Sequence, residues 1–94
     1  MSNKATPAEI RTALKTIPLW LKKGSHLQRT YEFSDFPRAI RFVSRVAKAA
    51  EKAQHHPDID IRWNQVRLEL TTHDAGGLTS SDFALAQICD RLAV

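Results

Sequence analysis

The chain has 94 residues, of which 43% are hydrophobic and 26% are charged, and it contains 3 glycines and 4 prolines. This length fits one domain, residues 1–94, and the composition excludes a disordered or low-complexity chain. The formal net charge of +4 is compatible with a nucleic-acid partner, but net charge alone does not favour one.

The first third of the chain predicts a helix followed by a β-hairpin. Thr6 can cap a helix whose third position carries Glu9, the arrangement of a capping box, and Pro18 ends that helix. Residues 19–22 and 27–33 are strand candidates, separated by the hairpin signal Lys-Gly-Ser. Alternate residues of the second strand share one face, where an arginine stem is tolerated near a sheet edge. These residues are Leu27, Arg29, Tyr31 and Phe33.

A long central helix is predicted after Asp35, which can cap its first turn. Its apolar residues recur at helical spacing: Ala39, Phe42, Val43, Val46, Ala49 and Ala50. A second row is basic: Arg38, Arg41, Arg45, Lys48 and Lys52. This row is typical of a solvated face, and nucleic-acid binding is disfavoured because no aromatic residues are interleaved with it. The helix must stop before Pro57, because the residue before a proline is pushed away from helical geometry.

Two further strands and a last helix complete the chain. Apolar residues alternate at odd positions and then at even ones: Ile59, Ile61 and Trp63, then Val66, Leu68 and Leu70. The change of phase at residues 64–65 predicts either two strands joined by a tight turn or one strand with a bulge. We expect Trp63 in the sheet core. Thr79 and Asp82 form a second capping-box pattern at the start of the last helix.

The predicted order of elements is α-β-β-α-β-β-α. Hairpins join neighbouring strands in antiparallel pairs, and helices can then cover one face of the resulting sheet. We therefore predict an α+β, two-layer domain in which a four-stranded antiparallel sheet carries three helices on one face. The uncovered face or the sheet edges are the expected oligomer surface.

Three of the four histidines fall in two clusters at the ends of predicted elements. His55 and His56 follow the central helix, and His73 follows the last strand. Metal binding, a structural role and acid–base chemistry all stay open from spacing alone, although no known metal-ligand spacing is matched. Histidine titrates near neutrality, so two imidazoles at one pocket can deliver a proton to a leaving hydroxyl and accept another from an N–H or C–H group.

Four ordered segments surround these histidines: Glu-Lys-Ala-Gln-His-His-Pro-Asp at 51–58, Trp-Asn-Gln-Val at 63–66, Leu-Thr-Thr-His-Asp at 70–74 and Gly-Leu-Thr-Ser-Ser-Asp at 77–82. Upstream, Tyr-Glu-Phe-Ser-Asp-Phe occupies 31–36. The set resembles the pterin-4a-carbinolamine dehydratase family. A lone His-His-Pro is weak support, whereas this ordered set at matching separations is specific and extends over most of the chain.

The resemblance implies removal of water from a 4a-hydroxytetrahydropterin to give quinonoid dihydropterin, which recycles the pterin used by aromatic amino acid hydroxylases. The family's active-site histidines, helix glutamate, last-helix aspartate and pocket tryptophan map onto residues of this chain, and our hypothesis sorts the site residues into three roles. The residues assigned to proton transfer are His55 and His73. The residues assigned to substrate binding are His56, Pro57 and Trp20. The residues assigned to orienting the imidazoles are Glu51 and Asp82.

The expected partners follow from the same resemblance. It implies a pterin substrate, no metal or organic cofactor, and a homodimer or homotetramer. The alternative function is a non-catalytic binding module on the same fold, either a transcriptional coactivator or a Rubisco-assembly protein; retention of all three histidines favours the enzyme. No membrane partner is expected, because no apolar run approaches the roughly 20 residues that cross a bilayer. The single cysteine, Cys89, favours a cytoplasmic location and lies on a stripe that we expect to be buried and unreactive.

Overall fold

The structure is a computed structural model that describes residues 3–94, so it covers all but the first two residues of the predicted domain. Within these residues, three α-helices and four strands follow one another as α1 (Pro7–Leu14), β1 (Leu21–Lys23), β2 (His26–Glu32), α2 (Phe36–Ala53), β3 (Asp58–Arg62), β4 (Gln65–Leu70) and α3 (Ser80–Leu92). A short 3-10 helix, His73–Ala75, follows β4. The predicted order of elements is confirmed. No helix of residues 3–94 combines the length and apolar character that a membrane span requires.

The strands form one antiparallel sheet in the order β1-β2-β4-β3. The pairing of β2 with β4 runs from Leu27 opposite Leu70 to Glu32 opposite Gln65. β3 pairs with β4 up to Arg62 opposite Gln65, so a turn of two residues joins them. Of the two alternatives left by the change of phase, two strands with a tight turn is therefore correct, and the predicted α+β class is confirmed.

The core lies between one face of the sheet and the helices. Alternate residues of β2 and β4 are buried there: Leu27, Tyr31, Val66, Leu68 and Leu70. The central helix contributes Ala39, Phe42, Val46 and Ala50. The Phe42 ring lies 4.7 Å from that of Tyr31 and 5.0 Å from that of Phe33, measured between centroids. This packing holds α2 against the sheet. It thereby determines the position of the last turn of α2 and of the first histidine cluster, which follows that turn.

The expectation that Trp63 lies in the sheet core is wrong. Its side chain is 71% exposed, because the strand ends at Arg62 and Trp63 lies in the turn with a positive φ of 54°. Ile59 and Ile61 pair with the buried Leu68 and Val66, yet each is 38% exposed. They occupy the edge strand, where cover by the helices is incomplete.

Candidate active site

The end of α2 sets the direction of His55. Gln54 caps the helix in the left-handed conformation, with φ 52° and ψ 41°. The backbone N–H of His55 then donates to the carbonyl of Ala50 at 3.1 Å, an arrangement that satisfies a carbonyl of the last turn. The chain reverses at this point, and the His55 imidazole lies against the first turn of α3.

The imidazole of His55 is held by a buried carboxylate. Its Nε2 lies 2.6 Å from Oδ1 of Asp82, whose side chain is 0% exposed. The other oxygen, Oδ2, accepts from the backbone N–H of Thr79 at 2.9 Å and from the hydroxyl of Thr72 at 2.8 Å. Burial of a charge is costly unless hydrogen bonds replace its hydration, and three polar contacts do so here. Asp82 is therefore both the capping-box carboxylate of α3 and the partner of His55.

The second histidine of this cluster has a different environment. Nε2 of His56 lies 2.5 Å from Oε2 of Glu51 on the last part of α2, and the two side chains are 60% and 73% exposed. Water screens a pair this exposed, so it orients the ring without holding it tightly. His56 is therefore free to adjust to a bound molecule in a way that His55 is not.

His73 reaches the same region from the end of β4, since Asp58 at the start of β3 lies opposite Glu69 near the end of β4. The backbone N–H of Thr72 donates to the carbonyl of Gly77 at 3.2 Å, and the N–H of Gly77 donates back to Thr72 at 3.3 Å. Between them the chain makes the short 3-10 turn, which begins with His73 and is closed by Gly76 at a φ of 72°. The His73 side chain is exposed at the rim of this loop.

All three histidines line one open depression of about 230 Å³. Its walls are formed by the residues after α2 and the residues after β4: Gln54, His55, His56, Thr71, Thr72, His73 and Asp74. Two larger depressions, of about 410 and 470 Å³, border α1, but no histidine or cysteine lines them. Among residues 3–94, no three His, Cys, Asp or Glu side chains are grouped to share a metal ion. Two chain segments thus present imidazoles to one depression.

Two residues predicted to bind substrate do not line this depression. Trp20 is 4% exposed, and its Nε1 donates to Oδ1 of Asp90 at 2.9 Å. The same oxygen accepts from Arg29 at 2.8 Å and from the hydroxyl of Tyr31, and the Arg29 guanidinium lies 4.1 Å from the centre of the Tyr31 ring. The structure therefore places Trp20 in the core, tied to the end of α3. Pro57 is half-buried between His56 and β3 and also lies outside the depression lining.

Two buried groups near the end of α3 titrate far from their usual range. Burial, together with the adjacent Asp90, raises the pKa of the Tyr31 hydroxyl. Burial raises the pKa of the Cys89 thiol to about 12, so the thiolate that would react is not populated near neutrality. Neither group lines the depression.

Two polar contacts had no clear signal in the sequence. The hydroxyl of Thr72 reaches Asp82 across a loop, although nothing in the pattern around Thr72 distinguishes it from its neighbour Thr71. The three donors that meet at Asp90 come from distant segments. For the contacts of Asp90, the sequence offered only Arg29 on the inward face of β2, because a guanidinium there needs a hydrogen-bonding partner.

Comparison with known proteins places this architecture in a family. The sequence profile described as Pterin 4 alpha carbinolamine dehydratase matches residues 3–92. A protein of Acidobacterium capsulatum that is also named as a pterin-4-alpha-carbinolamine dehydratase is 53% identical to this chain over 87 residues. These residues cover 93% of this chain and 95% of that protein.

Two solved structures are also similar. A Brucella melitensis protein described as a transcriptional coactivator/pterin dehydratase gives a TM-score of 0.94 at 32% identity, over 98% of this chain and 100% of that one. A pterin dehydratase-like protein described as a RuBisCO assembly factor in the alpha-carboxysome has the same fold, with a TM-score of 0.66 at 23% identity over 79% of this chain and 86% of that one. Because the family profile covers nearly the whole sequence, the chain belongs to the pterin-4a-carbinolamine dehydratase family.

Proposed function

We propose that this chain dehydrates 4a-hydroxytetrahydropterins to quinonoid dihydropterins and so recycles the pterin used in aromatic amino acid hydroxylation. The observation that carries the proposal is the convergence of His55, His56 and His73 on one depression, with His55 held by a fully buried carboxylate. Family membership supports the pterin as substrate class.

The proposed reaction needs one proton delivered to the leaving 4a-hydroxyl and another removed from the pterin ring. Two imidazoles at one depression can do both near neutral pH, and the step requires no metal. We assign these transfers to His55 and His73. His56, which is exposed and adjustable, binds the pterin, while Glu51 and Asp82 orient the two ring systems they contact.

A stopped-flow assay of 4a-hydroxytetrahydropterin dehydration tests this function. Replacement of His55 or His73 by alanine should lower the rate by about 10²–10⁴ if each is a general acid or base. His26→Ala is the matched control, because His26 lies on β2 beside Glu69 and not at the depression. A wild-type rate equal to the uncatalysed rate would contradict the enzyme and favour the alternative, a non-catalytic binding module. An unchanged rate in His73→Ala would remove that residue from the mechanism.

We also propose that the protein acts in the cytoplasm as a homodimer or homotetramer. The exposed apolar side chains at the β3 edge support self-association: Ile59, Ile61 and Trp63. Edge strands present unpaired backbone groups that readily pair with another strand. Two β3 strands paired antiparallel about Asp60 would place Asp58 of one copy opposite Arg62 of the other. The two Asp60 carboxylates would face each other, and each is paired with Arg62 and Arg67 of its own chain.

A further inference from the structure

A short chain of hydroxyl groups lies behind the pair formed by His55 and Asp82. The Thr72 hydroxyl donates to Oδ2 of Asp82 at 2.8 Å, and its Oγ1 lies 2.9 Å from Oγ1 of Thr79. A hydroxyl has one hydrogen to donate, and that of Thr72 goes to the carboxylate. Thr79 must therefore be the donor to Thr72. The hydrogen bonds run in one direction, from Thr79 through Thr72 to Asp82.

These donors hold Asp82 in place, and the carboxylate in turn determines the tautomer of His55. Its Oδ2 accepts from the backbone N–H of Thr79 and from the hydroxyl of Thr72, which fixes the direction in which Oδ1 points. A carboxylate has no hydrogen of its own to donate, so Oδ1 can only accept. Its remaining contact, 2.6 Å to Nε2 of His55, then requires the hydrogen to be on Nε2. The neutral imidazole is left with its lone pair on Nδ1, which has no hydrogen-bond partner among residues 3–94.

Thr72 also anchors the loop that carries the other proton-transfer histidine. Its backbone forms both hydrogen bonds of the bridge to Gly77, at 3.2 and 3.3 Å, and the next residue is His73. One residue therefore contacts the partner of His55 through its side chain and sets the start of the His73 loop through its backbone.

We propose that Thr72 is a positioning residue: its hydroxyl, oriented by Thr79, holds Asp82 so that neutral His55 presents Nδ1 as the proton acceptor, which leaves proton delivery to His73. The reaction step rests on the proposed function, whereas the tautomer does not. In that step, the proton of the ring N–H next to C4a passes to Nδ1 of His55, and the electron pair of that N–H bond forms the new C=N double bond. The C4a–O bond breaks, and the hydroxyl leaves as water with a proton from protonated His73.

Nitrogen chemical shifts of the His55 ring, measured by NMR on the unliganded protein, test the tautomer directly. The wild type should hold the hydrogen on Nε2. Thr72→Val keeps the side-chain shape but lacks the hydroxyl, so Asp82 is less firmly held towards His55. It should give a mixture of tautomers with kcat lowered roughly tenfold, the worth of one hydrogen bond to a charged group. KM should stay within about twofold. Thr72→Ser should restore both the wild-type tautomer and kcat.

The control and a second variant separate positioning from general destabilisation. Thr16→Val removes a hydroxyl that is hydrogen-bonded to Gln87 away from the depression, and it should change neither readout. If Thr72→Val does not fold, Thr72→Ala is measured in the same way. A wild-type hydrogen on Nδ1, a wild-type tautomer in the variant without the hydroxyl, or a serine variant as slow as the valine variant would each overturn the proposal. A wild-type protein without dehydratase activity would contradict the proposed function only, because the tautomer of its His55 can still be measured.

Discussion

Asp82→Asn separates the two tasks of one buried carboxylate. The amide keeps one oxygen but replaces the other with an NH₂ group, which donates. If the oxygen stays with the Thr79 N–H and the Thr72 hydroxyl, at 2.9 and 2.8 Å, the NH₂ group faces Nε2 of His55. The imidazole must then accept at Nε2 and carry its hydrogen on Nδ1, so the proposed proton acceptor is lost.

The expected magnitudes follow from these contacts. Loss of a charged acceptor for a buried hydrogen bond costs about 2 kcal/mol, which lowers Tm by about 8–16 °C for a domain of this size. The helix cap survives in part, so the variant should still fold. The dehydration rate should fall by about 10²–10⁴, because a general base has been converted to the wrong tautomer.

Asp90→Asn is the matched control for this experiment. Asp90 lies on the same helix, accepts from three side chains and does not line the depression. Thermal unfolding followed by circular dichroism should give losses of similar size in the two variants, while stopped-flow kinetics should show a defect only in Asp82→Asn. Equal kinetic defects, or a rate in Asp82→Asn within about twofold of wild type, would refute the assignment of Asp82 as more than a helix cap.

Other substitutions test the exposed histidine, the sheet edge and the buried acids. In steady-state assays, His56→Gln should raise KM for the pterin and keep kcat within about tenfold of wild type, because the His56 side chain is 60% exposed and adjustable. A kcat defect as large as that of His73→Ala would contradict a binding role for His56. Ile61→Lys at the β3 edge should lower the assembly mass in analytical ultracentrifugation, and an unchanged mass would exclude this edge as the interface. Burial raises the pKa of Tyr31, so the folded state keeps its proton longer than the unfolded state does. The contribution of Tyr31 to the free energy of unfolding should therefore be fully present below pH about 10 and should fall above it by up to about 1.4 kcal/mol per pH unit. In urea unfolding, Tyr31→Phe should lack this pH dependence. The Cys89 thiol, with its pKa raised to about 12, should resist a thiol reagent at pH 8 in the native protein and react on unfolding.

Local patterns determined most of the fold. The capping boxes at Thr6 and Thr79 and the spacing of apolar residues on α2 involve neighbours within a turn or two, so they are readable without tertiary contacts. The same holds for the alternation in β4. Trp63 shows the limit of this reasoning, because alternation does not reveal where a strand ends or which strand lies at the edge of the sheet.

The candidate site was likewise predictable from the sequence only in part. The two histidine clusters were visible because each lies at the end of a predicted element, and the ordered motifs around them are specific to a family. That His55 and His73 line one depression depends on the reversal at Gln54 and on the register of the β3–β4 hairpin, which sets Asp58 opposite Glu69. The double role of Asp82, the hydroxyl of Thr72 and the core position of Trp20 likewise depend on which donors surround a buried carboxylate. Those neighbours are set by packing between distant segments, and no pattern within a few residues encodes them.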